Sequence, residues 1–231
     1  MKFWWVGTPR PGNFGDIVTP YILDYFNIPW EKSDEFDAIC VGSIAKHAKP
    51  NTIVLGSGII SVKDKLCPTA QWKFVRGPHT RQNVIKSGGA CPEIYGDPAL
   101  LLPLLCKEST KKYKIGIVPH FVDYEYVKET YPEYHVIDLI TNDPIRTAQE
   151  ITECETIISS SLHGIICAHA YNIPAAWVQF SNKLKGDNIK FFDHYAALGL
   201  TAEVSTMQQP KFTTGSVDIA PIINIFKSLA E

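Results

Sequence analysis

The residues best suited to chemistry in this sequence lie in the segment SSSLHG, residues 159–164, between an apolar run and an apolar helix. Serine hydroxyls and the free N–H groups at a helix N-terminus bind anions, so the candidate substrate-binding residues here are Ser160, Ser161, Leu162 and Gly164. An imidazole in the first helical turn can pass a proton to a bound substrate, and Gly164 leaves room beside His163. We therefore expect His163 to be catalytic, although a single buried histidine is usually a packing residue.

A second candidate segment, GTPRPGNFGD, spans residues 7–16 and precedes a predicted helix. Its glycines allow the backbone to approach a ligand closely, and the start of the helix provides N–H donors. We expect Asn13, Gly15 and Asp16 to contact a substrate, with Asp16 also serving as the N-cap. The alternative interpretation is a long capped turn that binds nothing.

Three further polar residues follow predicted strands or lie in a glycine loop. Arg76 follows a strand at Lys73–Val75, where its planar guanidinium is expected to point into a cleft and clamp an anion. His120 follows a strand at Tyr113–Val118 and either takes a catalytic part beside a ligand or fills the boundary between two domains. Lys185, in a Lys-Gly-Asp loop, either contacts a phosphate or belongs to an exposed turn. All three are candidates for holding an anionic substrate.

The elements that must position these residues alternate between short apolar runs and amphipathic stretches, which is typical of βα units on parallel sheets. The predicted strands lie near Lys2–Gly7, Ala38–Val41, Thr52–Leu55, Lys73–Val75, Glu93–Tyr95, Tyr113–Val118, His135–Leu139, Thr156–Ser159 and Ala175–Phe180. The predicted helices cover Ile17–Phe26, Pro78–Lys86, Val122–Thr130, Pro144–Glu153, Leu162–Tyr171, Phe191–Leu198 and Val217–Leu229, with a further helix start at Asp97-Pro98.

This order of elements predicts an α/β fold with two Rossmann-like domains that face each other across a cleft. The polar stretch Lys107–Lys112 is the best candidate linker, which places one domain at residues 1–108 and the other at residues 109–231. Ligands of such sheets bind beyond the carboxyl ends of the strands, where the candidate residues also lie.

Composition limits the kinds of partner that the protein can have. Of 231 residues, 45% are hydrophobic and 20% are charged, and the net charge of −2 creates no bulk attraction to nucleic acid or to an acidic membrane. The six cysteines form no CxxC pair, which favours a reducing, cytoplasmic location. We expect no signal peptide, no membrane span, no metal and no cofactor.

Taken together, the candidate segments resemble the polysaccharide pyruvyl transferases. The matching pieces occur in the order of that family and extend over about residues 7 to 198: Gly12–Asp16, Val75–Gly77, Gly96–Pro98, Ser160–Gly164 and Lys185–Asp187. The resemblance implies a fold similar to GT-B glycosyltransferases, with phosphoenolpyruvate as the donor. It also implies a sugar or glycan acceptor, which can be lipid-linked, and a place for Leu162 and His163 at the catalytic step.

Two features depart from the pattern of the family. Many members carry arginine directly before the Leu-His pair, where this chain has Ser161, so one anion ligand is missing or comes from elsewhere. The chain is also shorter than most members. Two other functions therefore stay open: a GT-B glycosyltransferase that uses a nucleotide sugar, and a catalytically inactive glycan-binding module.

Overall fold

A computed structural model describes residues 1–231 and contains two parallel β-sheets with helices packed around them. The strands of the first sheet, in the spatial order β2-β1-β3-β4-β5, are β1 (Lys2–Trp4), β2 (Glu31–Lys32), β3 (Ala38–Ile39), β4 (Ile53–Leu55) and β5 (Gln71–Phe74). The strands of the second sheet, in the order β7-β6-β8-β9, are β6 (Tyr113–Val118), β7 (His135–Val136), β8 (Cys154–Ser159) and β9 (Ala175–Trp177).

Eight α-helices connect or follow these strands: α1 (Phe14–Tyr25), α2 (Pro78–Lys86), α3 (Leu102–Leu105), α4 (Tyr124–Thr130), α5 (Pro144–Thr152), α6 (Leu162–Ala170), α7 (Ile189–Ala197) and α8 (Ala220–Ala230). Short 3₁₀ helices occupy Ala45–His47, Pro98–Leu101 and Phe121–Asp123. None of the helices is long and apolar enough to cross a membrane.

Strand register brings two candidate segments of the second sheet together. Val118, the last residue of β6, lies beside Ser159, the last residue of β8, and both strands run in the same direction. The residues that follow them, His120 and Ser160, therefore leave the sheet at the same edge, as expected for the carboxyl ends of parallel strands. The backbone N–H of His120 donates to the Ser160 hydroxyl at 2.9 Å.

The two sheets are joined by a common hydrophobic core. A cluster of 37 buried residues contains Phe3 of the first sheet, Phe14 of α1 and Trp177 of the second sheet. Backbone hydrogen bonds add to this junction, because Phe14 N–H donates to the carbonyl of Leu139 at 2.8 Å and Thr141 N–H donates to that of Gly12 at 2.9 Å. The loop before α1 is thus held by the half of the chain that carries β6 to β9.

The last two helices return to the first half of the chain. On α8, the Phe226 ring stacks on Phe26 at a centroid distance of 5.1 Å and lies edge-on to Phe74 at 6.0 Å. On α7, the Asp193 carboxylate accepts hydrogen bonds from the N–H and the hydroxyl of Thr80 on α2, at 2.9 and 2.6 Å. One side of the first sheet is therefore covered by helices from the far end of the sequence.

The structure confirms the α/β class and the two parallel sheets. The two-domain, GT-B-like arrangement and the boundary after residue 108 stay predictions. The expected N-cap at Asp16 is wrong: α1 begins at Phe14 with Asn13 as its N-cap, because Phe14 is buried and its N–H bonds to the distant Leu139. The strand expected at Glu93–Tyr95 is reduced to a single parallel bridge between Tyr95 and Val75.

Candidate active site

Three helix N-termini meet at one polar cavity of about 160 Å³, here called the inner cavity. α1 contributes Asn13 and Asp16, α6 contributes Ser161, Leu162 and His163, and α7 contributes Lys190. The remaining lining residues are Val6, Ser43, Ile44, Ile60 and His120. A larger cavity of about 510 Å³, the outer cavity, shares six of these residues and adds Thr8, Pro9, Phe121, Val122, Lys183 and Lys185.

The three helix starts give the inner cavity a positive character. The side chains of the N-cap residues Asn13, Ser161 and Asn188 make no capping hydrogen bond. N–H groups in the first turn of a helix lack partners within the helix, and they lie at the positive end of its dipole. Three such ends around one cavity are suited to holding an anion with more than one charged oxygen.

The His163 ring is fixed between a glycine and a buried carboxylate. A Cβ atom on Gly15 would lie 1.9 Å from His163 Nδ1, so the ring requires glycine at this position of α1. On the other side, His163 Nε2 lies 3.7 Å from Asp97 Oδ2, and both atoms are buried without a hydrogen-bond partner. Nδ1 is therefore the ring nitrogen that can reach a ligand in the inner cavity.

Asp97 has two roles in the structure. One carboxylate oxygen caps the 3₁₀ helix by accepting the N–H of Ala99 at 3.0 Å, as the Asp97-Pro98 signature predicted. The other oxygen faces His163. Since the Asp97 side chain is completely buried, its negative charge is well placed to orient an imidazolium.

Asp16 faces both cavities from the first turn of α1. Burial raises the pKa of Asp16 to about 6, with an opposing effect from the nearby His163 and Lys190. The group is therefore mostly ionised at neutral pH and close enough to neutrality to accept a proton from a hydroxyl.

His120 lines both cavities as a neutral side chain. Burial, reinforced by Lys190 and His163, lowers the pKa of His120 to about 4. Its Nδ1 accepts the N–H of Val122 at 3.4 Å, which leaves the proton on Nε2. His120 is consequently suited to donating a hydrogen bond to a substrate rather than to acting as an acid.

The serine segment divides into residues that line the cavity and residues that support it. Ser161 and Leu162 line the inner cavity, whereas Ser160 and Gly164 do not. Ser160 is fully buried behind His120, whose N–H it accepts, and a Cβ on Gly164 would lie 2.6 Å from the hydroxyl of Ser159. Close packing of α6 on the sheet surrounds Ser160 and Gly164, and their expected substrate contacts stay predictions.

The Arg76 side chain lines neither cavity, and its expected role as an anion clamp stays a prediction. It is completely buried, with Nε 3.2 Å from Asp193 Oδ2, Nη1 2.7 Å from the Ser43 hydroxyl and Nη2 2.6 Å from the Ile59 carbonyl. The guanidinium is turned inward by Asp193, which arrives from α7, more than a hundred residues later in the sequence. Its link to the site is indirect, through Ser43, which lines the inner cavity.

Lys185 lines the outer cavity together with Lys183. The loop that carries Lys185 is fixed to the first half of the chain, because Asp187 accepts the Ser61 hydroxyl and the Val62 N–H, both at 2.9 Å. A role in binding substrate stays a prediction for Lys185, as it does for Asn13, Asp16 and His163.

Lys190 is the charged residue of the inner cavity that sequence reasoning missed. It faces both cavities from the first turn of α7 and is 8% exposed. Burial and the nearby Arg76 lower the pKa of Lys190 to about 8. Its position just after the Lys-Gly-Asp loop, at a helix start, was the one signal that could have revealed it.

The fold and the cavity define an α/β protein whose two parallel sheets direct three helix N-termini and a histidine to a single polar site. The chain belongs to the polysaccharide pyruvyl transferase family, whose family model matches residues 4–182.

Two curated relatives extend this comparison. The chain is 34% identical over 172 residues to the uncharacterized protein L143 of Acanthamoeba polyphaga mimivirus, a match that covers 69% of this chain and 59% of the relative. It is 28% identical over 207 residues to the succinoglycan biosynthesis protein ExoV of Rhizobium meliloti (strain 1021), covering 82% of this chain and 63% of the relative. The chain thus spans about three-fifths of the length of both relatives. No solved structure matches it significantly.

Proposed function

We propose that the protein transfers the pyruvyl group of phosphoenolpyruvate onto two hydroxyls of a sugar or glycan, forming a pyruvate ketal. The observation that carries this proposal is the meeting of three helix N-termini around His163 in one cavity. Phosphoenolpyruvate carries a phosphate and a carboxylate next to the carbon that must be protonated. A cluster of N–H donors beside a histidine suits that combination.

We assign the donor to the inner cavity and the acceptor to the outer cavity. The inner cavity holds His163 and the start of α6, and its volume of about 160 Å³ suits a small molecule. The outer cavity, at about 510 Å³, has room for a sugar ring and contains the exposed Lys183 and Lys185. Asp16 and His120 face both cavities and would lie between the two substrates.

The reaction can be written with these residues. His163 donates a proton to C3 of the donor, C2 becomes oxocarbenium-like, and a sugar hydroxyl attacks C2 while Asp16 accepts its proton. The C2–O bond to phosphate then breaks, and a second hydroxyl closes the ketal ring. Asp16 then passes the first hydroxyl proton to His163, and the proton of the second hydroxyl leaves with the phosphate. Nε2–H of His120 and the N–H groups at the helix starts would stabilise the oxyanions.

The location that fits this function is the cytoplasm. All six cysteines are free thiols, and five of them are buried. Free thiols without any disulfide are typical of proteins in a reducing compartment.

The test is phosphate release from phosphoenolpyruvate with a panel of glycosides, with the product identified by mass. We expect release only when an acceptor is present, and a product heavier than the acceptor by one pyruvyl ketal. A matched His163→Asn preparation should release phosphate two to four orders of magnitude more slowly, roughly the range for a lost general acid.

Thermal shift and the phosphate-release assay together separate the other two functions. A glycosyltransferase would be stabilised in thermal shift by nucleotide sugars and not by phosphoenolpyruvate. A catalytically inactive glycan-binding module would bind glycosides without phosphate release. Either result would contradict pyruvyl transfer.

A further inference from the structure

A buried lysine without a counter-ion faces the inner cavity. The side chain of Lys190 is more than nine-tenths buried, and its ammonium forms no hydrogen bond and no ion pair. Its nearest aromatic neighbour is Phe191, whose ring centroid lies 5.4 Å from Nζ, which is a weak contact. A buried charge is costly unless it is paired, so this side chain lacks the partner that would stabilise it.

The position of Lys190 is enforced by the packing of its helix. Three residues further along α7, Asp193 is tied to Arg76 at 3.2 Å and to Thr80 at 2.6 Å, and all three side chains are buried. At the start of the helix, Asp187 accepts the N–H of Ile189 at 3.2 Å. Both ends of the first turn are therefore fixed, which holds the backbone of Lys190 beside the cavities.

The other residues of the cavity do not neutralise this ammonium. Asp16 faces the same two cavities, but its oxygens lie outside salt-bridge distance of Lys190. Ser161, at the start of α6, brings a hydroxyl and no charge to the inner cavity. The cavity thus places a buried cation that forms no ion pair beside three helix starts, and its one lining carboxylate, Asp16, attracts that cation without contacting it.

We propose that the Lys190 ammonium binds an anionic oxygen of the donor substrate in the inner cavity. Many members of the family carry arginine where this chain has Ser161. The Lys190 contact would supply the positive charge that is missing at that position. The identity of the anion as phosphoenolpyruvate rests on the proposed function, whereas the need for an anion rests on Lys190 itself.

The test measures binding of phosphoenolpyruvate, and separately of inorganic phosphate, to the full chain by titration calorimetry. Lys190→Met removes the charge and keeps most of the side-chain volume, and we expect both ligands to bind roughly 10- to 100-fold more weakly. Lys86→Met, an exposed lysine in the last turn of α2, is the control and should bind as the wild type does. Lys190→Arg keeps the charge and should bind more tightly than Lys190→Met.

Melting temperatures without ligand separate binding from packing. Removing an unpaired buried charge should leave the ligand-free Lys190→Met protein at least as stable as the wild type. Wild-type affinity in Lys190→Met would overturn the proposal, as would equal weakening in Lys190→Met and Lys190→Arg, or a wild type that binds neither anion. Lys190-dependent binding of phosphate without turnover of phosphoenolpyruvate would uphold this site and contradict the proposed function. Phosphate release at the wild-type rate by Lys190→Met would support the proposed function and contradict this site.

Discussion

At the scale of single residues, the site depends on side chains whose charge is set by burial. Asp16 and His120 face the same two cavities, yet burial raises the pKa of the carboxyl to about 6 and lowers that of the imidazole to about 4. The same desolvation acts in opposite directions because the charged form is the basic one for Asp16 and the acidic one for His120. At neutral pH, Asp16 can therefore accept a proton, while His120 is a neutral hydrogen-bond donor.

The shifted carboxyl predicts a pH dependence. If Asp16 accepts the proton of the acceptor hydroxyl, its ionised form is required, so kcat should fall as pH drops below about 6. A pH–rate profile of the wild type and of Asp16→Asn checks this. In the variant we expect a much lower rate at neutral pH and no loss centred near pH 6. An unchanged acidic limb in Asp16→Asn would assign that limb to another group.

The contact between Asp97 and His163 predicts a loss of turnover without a loss of donor binding. Asp97→Asn keeps an oxygen for the N–H of Ala99 but removes the charge that faces His163 Nε2 at 3.7 Å. We expect kcat to fall roughly 10- to 100-fold, the usual effect of a misplaced catalytic group. The KM for phosphoenolpyruvate should change little.

A matched control for Asp97→Asn exists elsewhere in the chain. Asp218, just before α8, makes a comparable contact, since its Oδ1 accepts the N–H of Ala220 two residues further on at 3.0 Å, and it lies outside both cavities. Asp218→Asn should therefore leave kcat unchanged. Equal effects of the two substitutions would mean that Asp97 acts only as a cap.

At the scale of elements, α7 completes the lining of the cavities, although it follows the last strand of the second sheet. It supplies Lys190 to the cavities and Asp193 to the buried ion pair with Arg76. The pair links the carboxyl end of β5 to a helix that follows β9. Arg76 thus ties α7 and Ser43 to this strand end.

This role predicts that Arg76 matters for stability more than any surface arginine. Arg76→Met would leave the Asp193 carboxylate buried without its cation, which costs about 3–5 kcal/mol in comparable pairs. Arg81→Met, which breaks the partly exposed pair with Glu93, should cost about 1 kcal/mol or less. Urea unfolding of both variants measures the difference.

A double variant distinguishes the buried charge from the lost packing. Arg76→Met combined with Asp193→Asn removes both charges, so it should recover part of the stability lost in Arg76→Met alone. A double variant that is less stable by the sum of the two single losses would show that the pair does not couple as the geometry indicates.

At the scale of the whole molecule, the two sheets share one core. The 37-residue cluster includes residues of β1, α1, α6, β9 and α8, so both sheets contribute to it, while two smaller clusters of 13 and 5 buried residues belong to the first and the second sheet separately. The stacking of Phe226 on Phe26 adds a contact between the end of the chain and α1. Of these elements, α1 and α6 also line the inner cavity.

The shared core predicts that the protein unfolds in one step. Far-ultraviolet circular dichroism and tryptophan fluorescence should give coincident urea transitions, because the five tryptophans lie in both halves of the chain. Two separate transitions, or different midpoints for the two probes, would show instead that the halves are independent folding units.

The sequence alone determined the fold class and two short segments whose residues line the inner cavity. Alternating apolar runs and amphipathic stretches predicted parallel sheets, because those patterns depend on local burial along each element. The SSSLHG segment and the Asn-Phe-Gly-Asp segment stand out by their residue types at predicted helix starts. The structure places Asn13, Asp16, Ser161, Leu162 and His163 around one cavity.

Only the tertiary structure decided which charged side chains face that cavity. Arg76 was expected in the site and Lys190 was not, since both positions depend on where α7 packs against the first sheet. That packing is a contact between residues more than a hundred positions apart, and no local pattern encodes it. The direction of a side chain at the end of an element is set by its neighbours in space, and for Arg76 that neighbour is Asp193.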